Sequence, residues 1–111
     1  MHSKIHHGTV TQADLNYQGS ISIDEDLLKA ANIMPFEQVD VLNVNNGERF
    51  TTYAIKAPAG SKEIKINGAA ARKAQVNDKV IVISYASFTS EEAQSHKPNV
   101  IILDDDNNIT R

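Results

Sequence analysis

The fold of this chain is decided by the segment Val39-Asp40-Val41-Leu42-Asn43-Val44-Asn45-Asn46-Gly47-Glu48-Arg49-Phe50-Thr51-Thr52-Tyr53-Ala54-Ile55. Two arms rich in β-branched and aromatic residues flank an Asn-Gly pair, and Asn-Gly adopts the positive φ of a tight turn at little cost. The segment therefore predicts a β-hairpin whose arms are residues 39–44 and 49–55.

Further short strands are predicted on both sides of the hairpin. They cover residues 3–10, 20–23, 63–66, 79–84 and 100–103. Residues 20–23 alternate polar and apolar side chains, which predicts a half-buried strand. The polar residues 11–14 predict a turn or a single helical turn, and residues 57–60 predict a loop.

Helices are predicted to be few and short. Asp24 is a suitable N-cap for a helix that ends near Ala31. Residues 69–73 predict a brief helix, and a capping-box pattern predicts another over residues 89–96. Many short strands, little helix and no internal repeat indicate a mainly β protein, a small β-barrel, in which residues 1–111 form a single domain.

The composition excludes several classes of protein. With 111 residues, 41% of them hydrophobic and 23% charged, the chain has the make-up of one ordinary globular domain. The absence of cysteine excludes a disulfide framework, a thiolate nucleophile and a cysteine zinc site. A net charge of −3 and the acidic run Asp104–Asp106 disfavour nucleic acid as a partner. Neither a long apolar run nor a signal-peptide pattern is present, so we expect a cytoplasmic location and no membrane association.

The dipeptide Gly19-Ser20 is a candidate for a peptide bond that the protein cuts in itself. The Ser20 hydroxyl is a nucleophile next to the Gly19 carbonyl carbon, and its attack would convert a stable amide into a weaker ester. Most Gly-Ser pairs are ordinary turns, so the dipeptide alone does not establish this chemistry. Its interpretation depends on the residues around it.

Four runs of sequence, taken together, resemble one known family. They are Ser3-Lys4-Ile5-His6, Tyr17-Gln18-Gly19-Ser20 followed by Ile23-Asp24, the stretch from Asn43 to Tyr53, and Asn67-Gly68-Ala69-Ala70-Ala71. In this order and at these separations they resemble the bacterial aspartate 1-decarboxylase family, whose pyruvoyl-dependent members make β-alanine from L-aspartate for pantothenate and coenzyme A biosynthesis. The resemblance runs through almost the whole chain. It departs at His7, where the family commonly has arginine.

The resemblance implies a six-stranded double-psi β-barrel with short helices, assembled as a homotetramer whose active sites lie between neighbouring subunits. It also implies a proenzyme. Ser20 would cut the chain after Gly19, giving a β chain of residues 1–19 and an α chain of residues 20–111, and would itself become the pyruvoyl cofactor. Thr52 would help to stabilise the intermediate of this cleavage. Whether a maturation helper protein takes part stays open.

The resemblance further implies a set of catalytic and substrate-binding residues. Arg49 and Lys4 would bind the carboxylates of aspartate, a task to which a forked guanidinium is suited. Tyr53 would return a proton to the α-carbon after CO₂ has left. The pocket would be lined by Asn67, Gly68, Ala69 and Ala70, with His6 and Tyr17 as neighbours.

Plainer interpretations of the same residues stay open. Arg49 and Tyr53 are compatible with exposed cross-strand positions, and Asn67-Gly68 with an ordinary turn. His6-His7 does not predict a metal site, because adjacent residues on a strand face opposite ways and no third ligand lies at a suitable spacing. The alternative function is that of a non-catalytic small β-barrel that acts as an interaction or regulatory module. The ordinary serine at position 20 predicts that the continuous chain is the uncleaved precursor.

Overall fold

Eight strands and three short helices make up the chain in a computed structural model of residues 1–111. The strands are β1 (Ser3–Thr9), β2 (Gln12–Asp14), β3 (Ser20–Asp24), β4 (Gln38–Asn43), β5 (Arg49–Ala57), β6 (Ile64–Asn67), β7 (Lys79–Ser84) and β8 (Asn99–Ile102). The helices are α1 (Glu25–Ala31), a 3-10 helix (Gly68–Lys73) and α2 (Ser90–Ser95). None of these helices has the length and apolar character needed to cross a membrane.

The predicted hairpin is confirmed as β4 and β5. These strands pair antiparallel, with Leu42 opposite Arg49 at the turn end. Gly47 supplies a positive φ of 76° in the connection, and its N–H donates to the Asn43 carbonyl at 2.9 Å. The turn chemistry read from the sequence therefore sets the register of β5, the strand that carries several of the predicted site residues.

The strands form one sheet in the order β2-β6-β3-β5-β4-β7-β1-β8. The six inner strands of this order close on themselves, because the Thr11 N–H after β1 donates to the Ile64 carbonyl in β6 at 2.8 Å. The Ile64 N–H returns a bond to Thr11 Oγ1 at 3.0 Å. The predicted small barrel is confirmed, and two short edge strands, β2 and β8, extend it beyond the six expected.

The barrel interior holds one hydrophobic core of 18 buried residues. Inward-facing side chains recur at every second position, as in the row that Ile5, Val82 and Val41 form across β1, β7 and β4. Burial of this apolar surface is the main stabilising contribution to the fold. The side chains between these positions point outward, and several of them carry the chemistry described below.

Strand β3 is buried on both faces, so the prediction of a half-buried strand is wrong. Its apolar residues enter the core, as the alternation predicts. Its polar residues Ser20, Ser22 and Asp24 face outward but are covered. Asn67 bonds to both serines, and residues 60–62 close over the carboxylate. Alternation identifies the core-facing side chains, but it does not reveal which distant segment covers the other face.

Asp24 joins the end of β3 to α1 and to a distant loop. Its carboxylate accepts backbone N–H bonds from Asp26 at 2.8 Å, Gly60 at 3.1 Å and Lys62 at 2.8 Å. Burial by itself raises the pKa of Asp24, but these donors outweigh burial and hold the pKa below its ordinary value. The predicted N-cap is confirmed, and the same side chain also fixes the loop.

Residues 12–14 form strand β2, so the predicted turn or helical turn is wrong there. They pair in parallel with residues 65–67 of β6. This partner lies about fifty residues away in sequence, and no local pattern indicates it.

The two remaining predicted helices are confirmed. The brief helix appears as the 3-10 helix over Gly68–Lys73. In α2, Thr89 Oγ1 accepts from the Glu92 N–H at 3.1 Å, and Glu92 Oε1 accepts from the Thr89 N–H at 3.0 Å. Both bonds of the capping box are therefore present.

Candidate active site

Ser20 and Asn67 form a buried pair on the outer face of the barrel. They lie opposite each other in the antiparallel pairing of β3 with β6, and their exposed fractions are 1% and 0%. Asn67 Nδ2 donates to Ser20 Oγ at 3.0 Å and to Ser22 Oγ at 3.0 Å. Asn67 Oδ1 is buried and has no hydrogen-bond partner. The pair thus holds a hydroxyl nucleophile beside an acceptor that is still unused.

The Gly19–Ser20 bond lies where the chain passes from solvent into the protein. Residues 15–19 are exposed, whereas Ser20 is buried. The Ser20 hydroxyl is also within 3.4 Å of the Gln18 carbonyl, which is a long and weak hydrogen bond. The nucleophile is therefore fixed on the barrel, while the carbonyl side of the bond is open to water.

A shallow cavity of about 450 Å³ opens beside Gly19. Its volume is in the range of sites for small molecules. Five of the predicted residues line it, namely Gly19, Thr52, Tyr53, Ala69 and Ala70, together with Phe50, Thr51 and Lys73. The structure therefore brings about half of the predicted site together at one place on a single chain.

Tyr53 lies on the strand next to Ser20. Because β3 and β5 run parallel with Ile21 opposite Ala54, Ser20 is level with Tyr53 at one strand spacing, about 4.8 Å. Ile21 and Ala54 fill the core, so the side chains before them leave the barrel on the same outer face. Tyr53 is 38% exposed and presents its phenol to the cavity.

Arg49 is not brought to Ser20 within one chain. It precedes Tyr53 by four positions on β5, which corresponds to about 13 Å along the strand. Its side chain is exposed and lines a separate cavity of about 220 Å³, together with Leu42 and Ile81. The guanidinium therefore faces outward and does not line the cavity beside Gly19.

Lys4 is also remote from that cavity. It belongs to the same cross-strand row as Thr51, with Ile83 and Asp40 between them. Three strand spacings separate the two ends of this row, or about 14 Å. Lys4 is half-buried on the outer face of β1. One chain alone does not place both predicted cations at Ser20.

His6 stacks on His7, with ring centroids 4.0 Å apart and the planes at 14°. A bulge shifts the register of β1 between Ile5 and Gly8, and His7 has a φ of 61°. The premise that these two rings face opposite ways is therefore wrong. His6 Nδ1 is buried without a partner, and burial, then His7 and Lys4, lower the pKa of His6. His6 does not line the cavity beside Gly19.

Two lysines near the site were not predicted from the sequence. Lys65 Nζ lies 4.7 Å from the centroid of the Tyr17 ring, a cation–π contact, and 3.9 Å from Asp14. Lys73 lines the cavity and lies 3.8 Å from Glu48. Their places depend on how the loop before Ser20 and the 3-10 helix lie on the barrel, which no local motif indicates. No group of three or more His, Asp or Glu side chains is arranged to hold a metal ion.

The fold is similar to that of a solved structure, the rationally designed mkDPBB_sym_86 protein. The TM-score is 0.55 at 13% sequence identity, over 73% of this chain and 95% of that one. Fold and site together define a double-psi β-barrel protein with a buried serine on the outer face of the barrel. A family model described as aspartate decarboxylase matches residues 1–110. The chain belongs to the aspartate decarboxylase family.

Individual relatives extend over nearly the whole chain. It is 62% identical over 109 residues to the aspartate 1-decarboxylase of Maricaulis maris, which covers 98% of this chain and 90% of that protein. It is 63% identical over 108 residues to the aspartate 1-decarboxylase of Ruminiclostridium cellulolyticum, with 97% and 84% covered. The predicted family and the predicted double-psi barrel are both confirmed.

Proposed function

We propose that this protein is a carboxy-lyase that converts L-aspartate into β-alanine and CO₂, by means of a pyruvoyl group made from its own Ser20. The observation that carries the proposal is the position of Ser20 in a chain of this family. Its buried hydroxyl accepts a hydrogen bond from Asn67, and the residue before it in the chain is the exposed Gly19. The product would enter pantothenate and coenzyme A biosynthesis in the cytoplasm.

Maturation begins with the chain's own nucleophile. Ser20 Oγ attacks the Gly19 carbonyl carbon, and the acyl group moves from nitrogen to oxygen. Thr52, which lines the cavity beside Gly19, would stabilise the developing oxyanion. Elimination of the ester releases the carboxylate of residues 1–19. Hydrolysis then removes ammonia and leaves a keto group at residue 20, the first residue of the chain 20–111.

The residues around position 20 fit a pyruvoyl group. Asn67 offers a buried donor to Ser20 Oγ and a buried acceptor without a partner. A pyruvoyl group supplies an electrophilic carbonyl, which no standard side chain has, as a sink for the electron pair that CO₂ leaves behind. Gly68, Ala69 and Ala70 would line the site without bulky side chains.

Three other side chains would act on the substrate. Tyr53 would donate the proton that replaces CO₂ on the α-carbon. Arg49 and Lys4 would bind carboxylates, and one of them would hold the side-chain carboxylate that is retained. His6 and Tyr17 would be neighbours of the site.

The separation of these groups supports active sites between subunits. Arg49 and Lys4 lie on outward faces of the barrel, each more than about 10 Å along or across the sheet from the β3 side of the cavity. A neighbouring copy that packs on this cavity would bring its own cations to it. The proposal therefore includes a homotetramer, for which light scattering should give about four times the chain mass of 12.2 kDa.

Intact-mass measurement tests the proposed function. Purified precursor should convert from one species of 12.2 kDa into the fragments 1–19 and 20–111. The processed protein should release CO₂ from L-aspartate. Chemical reduction in the presence of L-aspartate should link the product amine covalently to fragment 20–111 only. A chain that stays whole and never yields CO₂ would refute the proposal. Cleavage in cells but not after purification would assign a maturation helper protein.

The alternative of a non-catalytic interaction or regulatory module predicts the opposite result. The chain would stay whole with an unmodified Ser20, and L-aspartate would neither react nor be trapped. The same two measurements therefore decide between the two functions.

A further inference from the structure

Gly68 makes an unusually close backbone contact with the loop before Ser20. An ideal Cβ placed on Gly68 would lie 2.7 Å from Gly19 Cα, 2.8 Å from Gly19 N and 3.0 Å from the Tyr17 carbonyl oxygen. All three neighbours are backbone atoms, so no change of rotamer relieves the clash. Gly68 also has a φ of 73°, which disfavours other residues.

Gly19 itself shows no comparable requirement. A Cβ placed on Gly19 would meet no atom within 4 Å. Its φ is not in the left-handed region, unlike that of Gly68. The precursor fold therefore has room for a side chain at Gly19, whereas it has none at Gly68.

The turn Asn67-Gly68 contacts both sides of the bond between Gly19 and Ser20. Asn67 donates to Ser20 Oγ at 3.0 Å, and Gly68 lies against the backbone of Gly19. We infer that Gly68 is a positioning residue for self-cleavage: the missing Cβ lets the Gly19 carbonyl lie within reach of the hydroxyl that Asn67 holds. This inference rests on the proposed function and concerns its first step.

Lys65 makes a second contact with the same loop. Lys65 on β6 lies under the Tyr17 ring, 4.7 Å from its centroid, and 3.9 Å from Asp14 at the start of the loop. Lys65 and Gly68 therefore contact the loop from the same side. Lys65 does so through its charge, and Gly68 through close backbone contact. Both would place Gly19 without touching the reacting hydroxyl.

The step that depends on this positioning is the acyl shift. Ser20 Oγ forms a bond to the Gly19 carbonyl carbon, the bond from that carbon to the Ser20 nitrogen breaks, and the hydroxyl proton ends on the freed amine. A displaced Gly19 carbonyl lengthens the path of attack, and misplacement by about 1 Å lowers rates by about 100-fold.

Gly68→Ala tests the inference against two matched controls. Gly47→Ala and Gly60→Ala introduce the same methyl at φ values of 76° and 81°, but with no atom within 4 Å. We expect Gly68→Ala to lower the rate constant of self-cleavage by about 100-fold, and the controls to cleave near the wild-type rate. Thermal unfolding of all four proteins separates this effect from a loss of fold. Cleavage of Gly68→Ala at the rate of the controls would overturn the inference.

Hydroxylamine identifies the affected step. It attacks the ester carbonyl, leaves a hydroxamate on residues 1–19 and restores the Ser20 hydroxyl. A hydroxylamine pulse should split wild-type precursor at the Gly19–Ser20 bond wherever the ester has formed, and fragment masses distinguish this cut from cleavage at Asn46-Gly47 or Asn67-Gly68. Gly68→Ala should stay intact at the Gly19–Ser20 bond, because the acyl shift itself is slowed. A folded Gly68→Ala protein that is split by hydroxylamine as readily as wild type would place its defect later and would refute the inference.

Lys65→Met tests the same positioning of the loop if Gly68→Ala does not fold. Methionine keeps most of the length of the side chain but removes its charge, and we expect cleavage to slow about threefold, the value of an exposed cation–π contact. Lys56→Met is the control, since Lys56 lies on β5, which β3 separates from β6 in the sheet, and is 3.5 Å from Glu25. Equal cleavage rates for these two variants would show that the position of this loop does not limit cleavage, and would therefore overturn the inference.

These outcomes are distinct from failure of the proposed function. If that function is wrong, wild type, the glycine controls and Lys56→Met all stay whole. If only the positioning role is wrong, all of them are cut, and Gly68→Ala is cut at the same rate.

Discussion

The two halves of the candidate site differ in how far one chain prepares them. Ser20 and Asn67 are fully buried and hydrogen-bonded to each other. Arg49 is exposed and Lys4 half-buried, and both lie on outward faces of the barrel away from the cavity beside Gly19. The first half is complete within the folded chain, whereas the second becomes useful only when a ligand or another copy meets it.

This difference separates two activities. A nucleophile that must attack its own backbone needs a fixed position before any ligand arrives, and burial with an amide donor provides it. Groups that would bind a dicarboxylate substrate must stay accessible, because the substrate arrives from water. We therefore expect substitutions in the buried half to change self-cleavage, and substitutions in the exposed half to change turnover.

The largest effect should come from Ser20→Ala. Removal of the hydroxyl removes the nucleophile, so the variant should remain a single 12.2 kDa species by mass spectrometry. Ser22→Ala is the matched control, because Ser22 is also on β3 and accepts from the same Asn67 amide at 3.0 Å. That control should still be cut. Cleavage of Ser20→Ala at the Gly19–Ser20 bond would end the comparison.

Tyr53→Phe should break the link between cleavage and turnover. The variant keeps its hydrophobic contacts and should be cut normally, but loss of the proton donor should lower the decarboxylation rate by about 10²- to 10⁴-fold. Fragment masses and CO₂ release measure the two effects separately. Tyr85→Phe, at an exposed tyrosine that does not line the cavity, serves as the control. Normal CO₂ release by Tyr53→Phe would remove Tyr53 from the chemistry.

Arg49→Lys tests whether the exposed half of the site affects turnover without affecting self-cleavage. Lysine keeps the charge but loses the planar fork, so kcat/KM for L-aspartate should fall about tenfold to 100-fold, mainly through KM. Self-cleavage should be unchanged. Arg72→Lys, at an exposed arginine of the 3-10 helix, should match wild type in both assays. A cleavage defect in Arg49→Lys would show that the two halves are not separate.

Asp24→Asn should have the smallest effect on cleavage, because Asp24 fixes the opposite end of β3. An amide cannot accept all three backbone N–H bonds, so the free energy of unfolding at pH 7 should fall by about 2 kcal/mol. Urea unfolding measures this loss. Asp26→Asn, at an exposed position in the same helix, should change stability little. A cleavage rate that falls with Asp24→Asn would instead tie both ends of β3 to the reaction.

The same carboxylate predicts a pH dependence. The pKa of Asp24 is lower in the folded chain than in the unfolded chain, where it is about 3.9. Its contribution is therefore fully present above the unfolded value and is lost as pH falls toward the folded one. Wild type should lose stability more steeply than Asp24→Asn below about pH 4. Equal slopes in urea unfolding would contradict this.

Local signals predicted the parts of the fold that depend on near neighbours. The Asn-Gly turn, the Asp24 cap and the capping box of α2 involve residues within a few positions of one another. The parallel pairing of β2 and the covered polar face of β3 depend on β6, which is distant in sequence. The bulge at His6-His7 escaped prediction because positive φ at a histidine leaves no pattern in the sequence.

The candidate site followed a similar division. Gly19 was a candidate from the Gly-Ser dipeptide, Thr52 and Tyr53 were identified through the family resemblance, and the three residues line one cavity. The requirement for a glycine at position 68 and the contact of Lys65 with Tyr17 were not predictable, because they arise only when the loop lies against the barrel. Sequence indicated the reacting groups better than the surfaces that place them.

Strand β1 gives the proposed cut a lasting physical consequence. It lies between β7 and β8, and its Ile5 is completely buried. Once the bond after Gly19 is broken, this strand belongs to a separate peptide, and refolding changes from a first-order to a second-order reaction. The tether that kept the peptide at high effective concentration is gone, so dilution opposes reassembly. The mature protein would then persist because its two chains separate slowly. Heating that dissociates them would inactivate it irreversibly.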